Sequence, residues 1–177
     1  MRFVSYAAAG ALVTVVACGG WKSSQAIGAQ PGAKALSNGM LMLSTPLNKD
    51  RAIAVMKARH EGMEAIGDAT KAIHRAQSGP DFPTIRSNAL KIAQLSQQAS
   101  GWFPAGTGPD IGKTRAKADI WQNSEDFALK LRNFQAAART FSTAASGNDA
   151  AAINAAFGQL GGTCKACHDK YRAEEQH

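Results

Sequence analysis

Cys164, Cys167 and His168, spaced C-x-x-C-H, constrain the chain more than any other feature. On a helix the cysteines stand at i and i+3 and the histidine four residues beyond the first, so all three project from one side. The spacing is the attachment signal for c-type haem. Two thiols add to the vinyl groups on one edge of the porphyrin, and the adjacent imidazole binds iron from the proximal side. A C-x-x-C pair alone also fits half a zinc site or a redox dithiol. A zinc site needs a second cluster of ligands. The other histidines, His60, His74 and His177, and the remaining cysteine, Cys18, do not form one in the sequence. No βαβ pattern surrounds the dithiol. The expected cofactor is one haem c per chain.

Cys18 has a separate explanation. Met1-Arg2 is a short positive start, and Phe3 to Ala17 is a run of 15 mostly apolar residues. That is shorter than the roughly 20 residues a membrane-spanning helix needs, but it suits a signal-peptide core. It ends in Val15-Val16-Ala17-Cys18, which resembles the lipobox of bacterial lipoproteins. Residues 1–18 are therefore read as a signal peptide with a lipobox and Cys18 as the acylated anchor to a membrane, the alternatives being an uncleaved short anchor or ordinary signal-peptidase cleavage after Ala29. Residues 19–44, carrying Gly, Ser, Gln, Ala and Pro31 without periodicity, read as a flexible linker. The expected location is the periplasm, tethered through Cys18. The net charge of +7 is dispersed without blocks, so nucleic-acid binding is not expected.

From residue 45 to 177 the pattern is helical. Thr45-Pro46 offers a capping hydroxyl and a proline for the first helical position. Ala52, Met56, Arg59, Met63, Ile66, Thr70 and Ile73 then recur at spacings of four and three, the mark of a bundle seam. A second helix is expected from Asp81 or Pro83 to Ala99, with Ile85, Ala89, Ile92, Leu95 and Ala99 inward. A Gly/Pro-rich loop spans Gly101 to Gly112. The third helix starts at Ala116 or Asn123 and ends at Ala145, with Ile120, Phe127, Leu131, Phe134, Ala138, Phe141 and Ala145 as its stripe. Asn148 is the expected cap of the fourth, which carries Ile153, Phe157, Leu160, Cys164, Cys167 and Tyr171 along one line. The cysteines thus fall on the core-facing side. Gly158, Gly161 and Gly162 read as room for a flat macrocycle or as close helix packing. Four amphipathic helices with short connections predict an all-α, antiparallel four-helix bundle with haem near the C-terminal helix.

With that motif ending a helical domain, the chain resembles the cytochrome c-prime family, the class II c-type cytochromes. The likeness covers about Thr45 to Arg172. It rests on Arg59-His60-Glu61-Gly62-Met63, Trp102-Phe103-Pro104-Ala105-Gly106-Thr107, Ala118-Asp119-Ile120-Trp121 through Phe127, and Gly161-Gly162-Thr163-Cys164-Lys165-Ala166-Cys167-His168 through Arg172. The resemblance implies haem linked at Cys164 and Cys167, His168 as proximal ligand and Met63 over the distal face. It also implies Arg59 near the propionates and Arg172 lining the proximal pocket. Dimers are common in that family, so a homodimer is among the partners it implies. The lipobox and tether depart from it, since typical members are soluble in the periplasm.

Two functions follow from the distal side. Met63 bound opposite His168 saturates the iron and suits one-electron transfer to periplasmic or membrane redox proteins. Met63 merely roofing the iron leaves a site for NO or CO, for capture or sensing. Residue identity leaves both open, and the carrier is the leading expectation. No nucleophile–base pair, phosphate loop or paired carboxylate motif is present, so no enzyme is expected. His60, one step off the seam, and His74 and His177 read as surface residues. Trp121 and Phe127 are expected to wall the core or the haem pocket, and Tyr171 to pack beside the proximal side.

Overall fold

The computed structural model describes residues 47–79 and 81–174. The expected leader, Cys18, the linker, Thr45-Pro46 and His177 lie outside the described residues. The elements are α1 (Lys49–Ala76), α2 (Phe82–Gln98) running into a 3-10 turn (Ala99–Gly101), a short α3 (Asp119–Gln122), α4 (Ser124–Ala145) and α5 (Ala150–Tyr171). The chain is a four-helix bundle built from α1, α2, α4 and α5. Among the described residues there is no strand, only an isolated antiparallel bridge between Ala116 and Arg172.

Side chains decide where each helix starts. The Asn48 side chain accepts from Arg51 N at 2.9 Å and opens α1. Asp81 does the same for α2, accepting from Thr84 N at 3.1 Å, with Pro83 in the first turn. For α5 the cap is Asp149, one residue beyond the expected Asn148. Its carboxylate accepts from Ala151 N at 2.9 Å and Ala152 N at 3.2 Å, and its charge also suits the positive end of the helix dipole. Asn148 instead accepts from Arg86 Nη2 at 3.5 Å. The expected third helix is split. Asn123 leaves helical geometry (φ −118°, ψ 50°), ending α3 and preceding α4.

The buried line of α1 is Ala52, Met56, Arg59, Gly62, Ile66, Ala69, Ile73 and Ala76. Met63 and Thr70 are therefore half-buried beside the seam rather than on it, and the smaller Gly62 and Ala69 take the closest approach. In α2, Ser96 is buried where Leu95 was expected, its hydroxyl donating to Ala93 O at 2.7 Å. Ile73, Ile85, Ile92, Phe141 and Ile153 are the largest fully buried apolar side chains, each contributing about 1.5–3 kcal/mol of burial. Phe141 and Phe157 meet with centroids 5.3 Å apart.

Three flanks of the bundle are closed by helix packing: α1 on α2, α2 on α4 and α4 on α5. The fourth, between α1 and α5, shows no comparable approach. A hollow of about 370 Å³ on that flank is lined by Thr70, Lys71, His74, Arg75 and Phe157. No helix among the described residues is long and apolar enough to cross a membrane.

Candidate haem-attachment site

The last three turns of α5 present Cys164, Cys167 and His168, all half-buried. The two thiols face different neighbours. Cys164 packs against the main core, as Met63 does from α1. Cys167 packs against a smaller cluster of Ile120, Phe127 and Tyr171, with Phe103, Trp121 and Leu131 at its edge.

Electrostatics at the three side chains agree with the expected chemistry. Burial pushes the Cys164 thiol up from its ordinary value. Burial is also the main cause for Cys167, where Cys164 and Asp126 add to the rise and Lys130 opposes it. A redox dithiol needs a depressed thiol pKa, so this pair is a poor candidate for that chemistry. His168 is shifted the other way. Burial, then the charges of Arg172 and Arg115, lower its pKa, so the neutral imidazole with a free lone pair is favoured. That is the form a metal ligand requires. No group of three or more His, Cys, Asp or Glu among the described residues is placed to hold a bare metal ion. Iron that brings its own porphyrin nitrogens needs fewer protein ligands, and here the thiols, the imidazole and the loosely packed α1–α5 flank fit it. Gly158, Gly161 and Gly162 are not tight helix contacts: a Cβ at each would meet nothing within 4 Å.

The end of α5 is tied on two sides. Lys117 N donates to Tyr171 O at 3.0 Å and Ala173 N to Arg115 O at 2.8 Å, pairing residues 115–117 with 171–173. Arg172 is the C-cap, in extended geometry and exposed, so it leaves the helix instead of continuing its face. Its charge still acts on His168. Tyr171 is buried, its ring edge-on to Phe127 at 5.2 Å and its hydroxyl donating to Asp126 Oδ2.

Arg59 is 5% exposed, so its charge lies buried on an otherwise apolar line. Its Nη1 donates to Trp102 O and Thr107 Oγ1, both at 3.2 Å, and its Nη2 to Thr107 O and Thr114 Oγ1, both at 3.0 Å. Phe103 and Trp121 stack near the cation at 5.1 and 5.9 Å. Among the described residues no carboxylate pairs with it. Four of its five N–H groups thus bind the 102–114 loop. The same loop is seated by Trp102, whose ring lies against Gly62: a Cβ there would come within 2.3 Å of the indole. Trp121 Nε1 donates to Phe103 O and Pro104 O at 3.2 and 3.1 Å, and Thr107 Oγ1 to Pro104 O at 2.8 Å. Gly106 takes φ +77°, which a side chain resists. His60 is exposed and pairs with Glu64 at 3.4 Å, and His74 is exposed as expected.

Three residues at this site were not anticipated from sequence. Gly62 carried a signal, a glycine inside a strong helical seam, which marks close approach. Arg115 and Asp126 carried none, since their partners lie far along the chain.

A profile of the family described as Cytochrome C' matches residues 54–172. The chain is 42% identical over 121 residues to a cytochrome c' of Rhodospirillum rubrum, covering 68% of this chain and 78% of that one. The solved cytochrome c' of Thermochromatium tepidum superposes with a TM-score of 0.65 at 30% identity, over 72% of this chain and 98% of that one. A nitric oxide complex of a variant cytochrome c prime from Alcaligenes xylosoxidans superposes with a TM-score of 0.62 at 28% identity, over 71% and 97%. The chain belongs to the cytochrome c' family, whose cofactor is haem c with its iron.

Proposed function

We propose that the protein is a one-electron carrier outside the cytoplasm, with haem bound covalently at Cys164 and Cys167 and His168 as proximal ligand. The observation that carries this reading is the desolvated trio on α5 beside the loosely packed flank facing α1. The cofactor supplies an iron that exchanges one electron. The chain's own task is to shield that iron from water, hold the imidazole neutral and set the potential through ligand and burial. Met63, half-buried on α1, is the distal residue in this proposal; Arg59 and Arg172 flank the cofactor, and Arg59 has one N–H left for a propionate. No turnover of a substrate is part of it. The partners are periplasmic or membrane redox proteins, and a second copy of the chain is a further one. Cys18 serves as the acylated anchor, which the mass of the mature N-terminus checks.

The visible spectrum tests the core of the proposal. A low-spin ferrous haem that ignores CO, and becomes CO-reactive in Met63→Ala, supports the carrier. The nitric oxide complex of the Alcaligenes xylosoxidans protein favours a second reading, a five-coordinate haem that takes up NO or CO. A high-spin ferrous protein that binds CO with Met63 in place would replace the first reading with the second.

A further inference from the structure

Asp126 lies in the first turn of α4, and Lys170 and Tyr171 in the last turn of α5. Tyr171 is 2% exposed, and its hydroxyl donates to Asp126 Oδ2. Lys170 Nζ donates to the same oxygen at 2.9 Å. Residues 115–117 also pair with 171–173 through main-chain bonds. A helix C-terminus ordinarily frays, because its last carbonyls lack partners. Here the final turn is held both from α4 and from the 115–117 segment. All of this acts within five residues of His168, and none of it uses the thiols or the imidazole. Cys167 packs against the same Tyr171–Phe127 pair and feels the Asp126 charge.

We propose that the Asp126–Tyr171 bond is a positioning device for the proximal haem ligand. It fixes the last turn of α5, and with it the orientation of the His168 imidazole, and seats the Asp126 carboxylate, ion-paired with Lys170, beside that turn. Tyr171 supplies the fixed orientation and Asp126 the charge. The two contributions separate by substitution. Tyr171→Phe keeps the ring packing and the carboxylate but deletes the bond. Asp126→Asn removes the charge, and Asp126→Glu keeps the charge on a longer arm.

The experiment uses the mature, haem-loaded chain and reads three quantities: the midpoint potential, amide exchange at residues 168–173 and, with Met63→Ala added to parent and variants alike so that the ferrous iron is five-coordinate, the iron–histidine stretching frequency by resonance Raman. Asp126→Asn is expected to raise the potential, because a lost anion disfavours the more positive ferric state. Tyr171→Phe is expected to shift or broaden the iron–histidine mode. Both are expected to speed exchange of the Arg172 and Ala173 amides about tenfold or more. Asp126→Glu should return the potential toward that of the parent. If potential and stretching frequency match the parent in both Asp126→Asn and Tyr171→Phe while only exchange quickens, the bond is merely structural and the proposal fails. The inference rests on His168 as proximal ligand. A Met63→Ala protein with no iron–histidine mode would overturn that assignment, a result distinct from a mode that Asp126→Asn and Tyr171→Phe leave unmoved.

Discussion

The two ends of the bundle are built from different interactions. At one end α1 hands over to α2 and α4 to α5. There Ile73, Ala76, Ile85, Phe141, Ala145 and Ile153 fill the interior, and few polar bonds cross between helices, such as Arg86 Nε to Ala145 O at 3.3 Å. At the other end the 102–118 loop, the start of α4 and the end of α5 meet. Arg59, Thr107, Thr114, Trp121, Asp126 and Tyr171 form directed bonds there. Apolar burial has no preferred direction and accepts small shifts. Hydrogen bonds to a buried cation do not, because each depends on distance and angle. The attachment residues sit nearest the directed end, where side chains have the fewest alternative placements.

Phe141→Ala should have the largest effect on that contrast. Emptying this fully buried site is expected to cost about 3–5 kcal/mol in denaturant unfolding, while the haem spectrum of the folded fraction stays that of the parent. A changed spectrum would mean that the apolar end also sets the site's geometry. Arg59→Met comes next. It leaves Thr107 O and Trp102 O without their donor, at about 1–3 kcal/mol for each buried group left unmet. Unlike Phe141→Ala, it should alter the haem spectrum and expose the 102–114 loop to protease.

Gly62→Ala follows, at about 1–3 kcal/mol, because the added methyl overlaps the Trp102 ring. Indole fluorescence of the unfolded-versus-folded transition would report the displaced ring, and an unchanged profile would refute the notch. The smallest effects are those of pH. Tyr171 and Lys170 hold the Asp126 carboxyl below the usual range, and Thr84 does so for Asp81 at the opposite end. A lowered folded value means the stabilisation is complete above the unfolded value, about 3.9, and disappears as pH falls through the folded one. Tyr171 is raised by burial and by Asp126, so its share is complete below about pH 10 and lost as pH climbs through the folded value. Asp126→Asn should flatten the acid limb of the stability profile, and Tyr171→Phe the alkaline limb.

Much of this is legible in the amino-acid sequence, and the exceptions have physical reasons. Phe127, Phe134, Phe141 and Ala145 were readable as one face because bulky apolar residues at helical period leave few alternatives. Met63 against Gly62 was not, since adjacent positions on a seam differ by one step of rotation and Trp102, 40 residues later, decides between them. Asn148 against Asp149 is the same kind of one-residue ambiguity between two good caps. Arg59 was visible as a charge on an apolar line. All four of its acceptors are nevertheless loop groups, two of them backbone carbonyls that any residue supplies, so no residue type announced them. Asp126 and Tyr171 lie 45 residues apart with nothing in either neighbourhood to pair them. The chemistry of the attachment motif was readable; the scaffolding that steadies it was not.

The indentation at Gly62 has a reach out of proportion to its size. One missing carbon on α1 decides where an aromatic ring from another part of the chain comes to rest, and that ring's own carbonyl is gripped by Arg59 less than one turn away. A drift to any heavier residue there would be felt first not at its own backbone but at Trp102, and next at Met63, its immediate neighbour. A position with no reactive group of its own thus governs the architecture around those that have one.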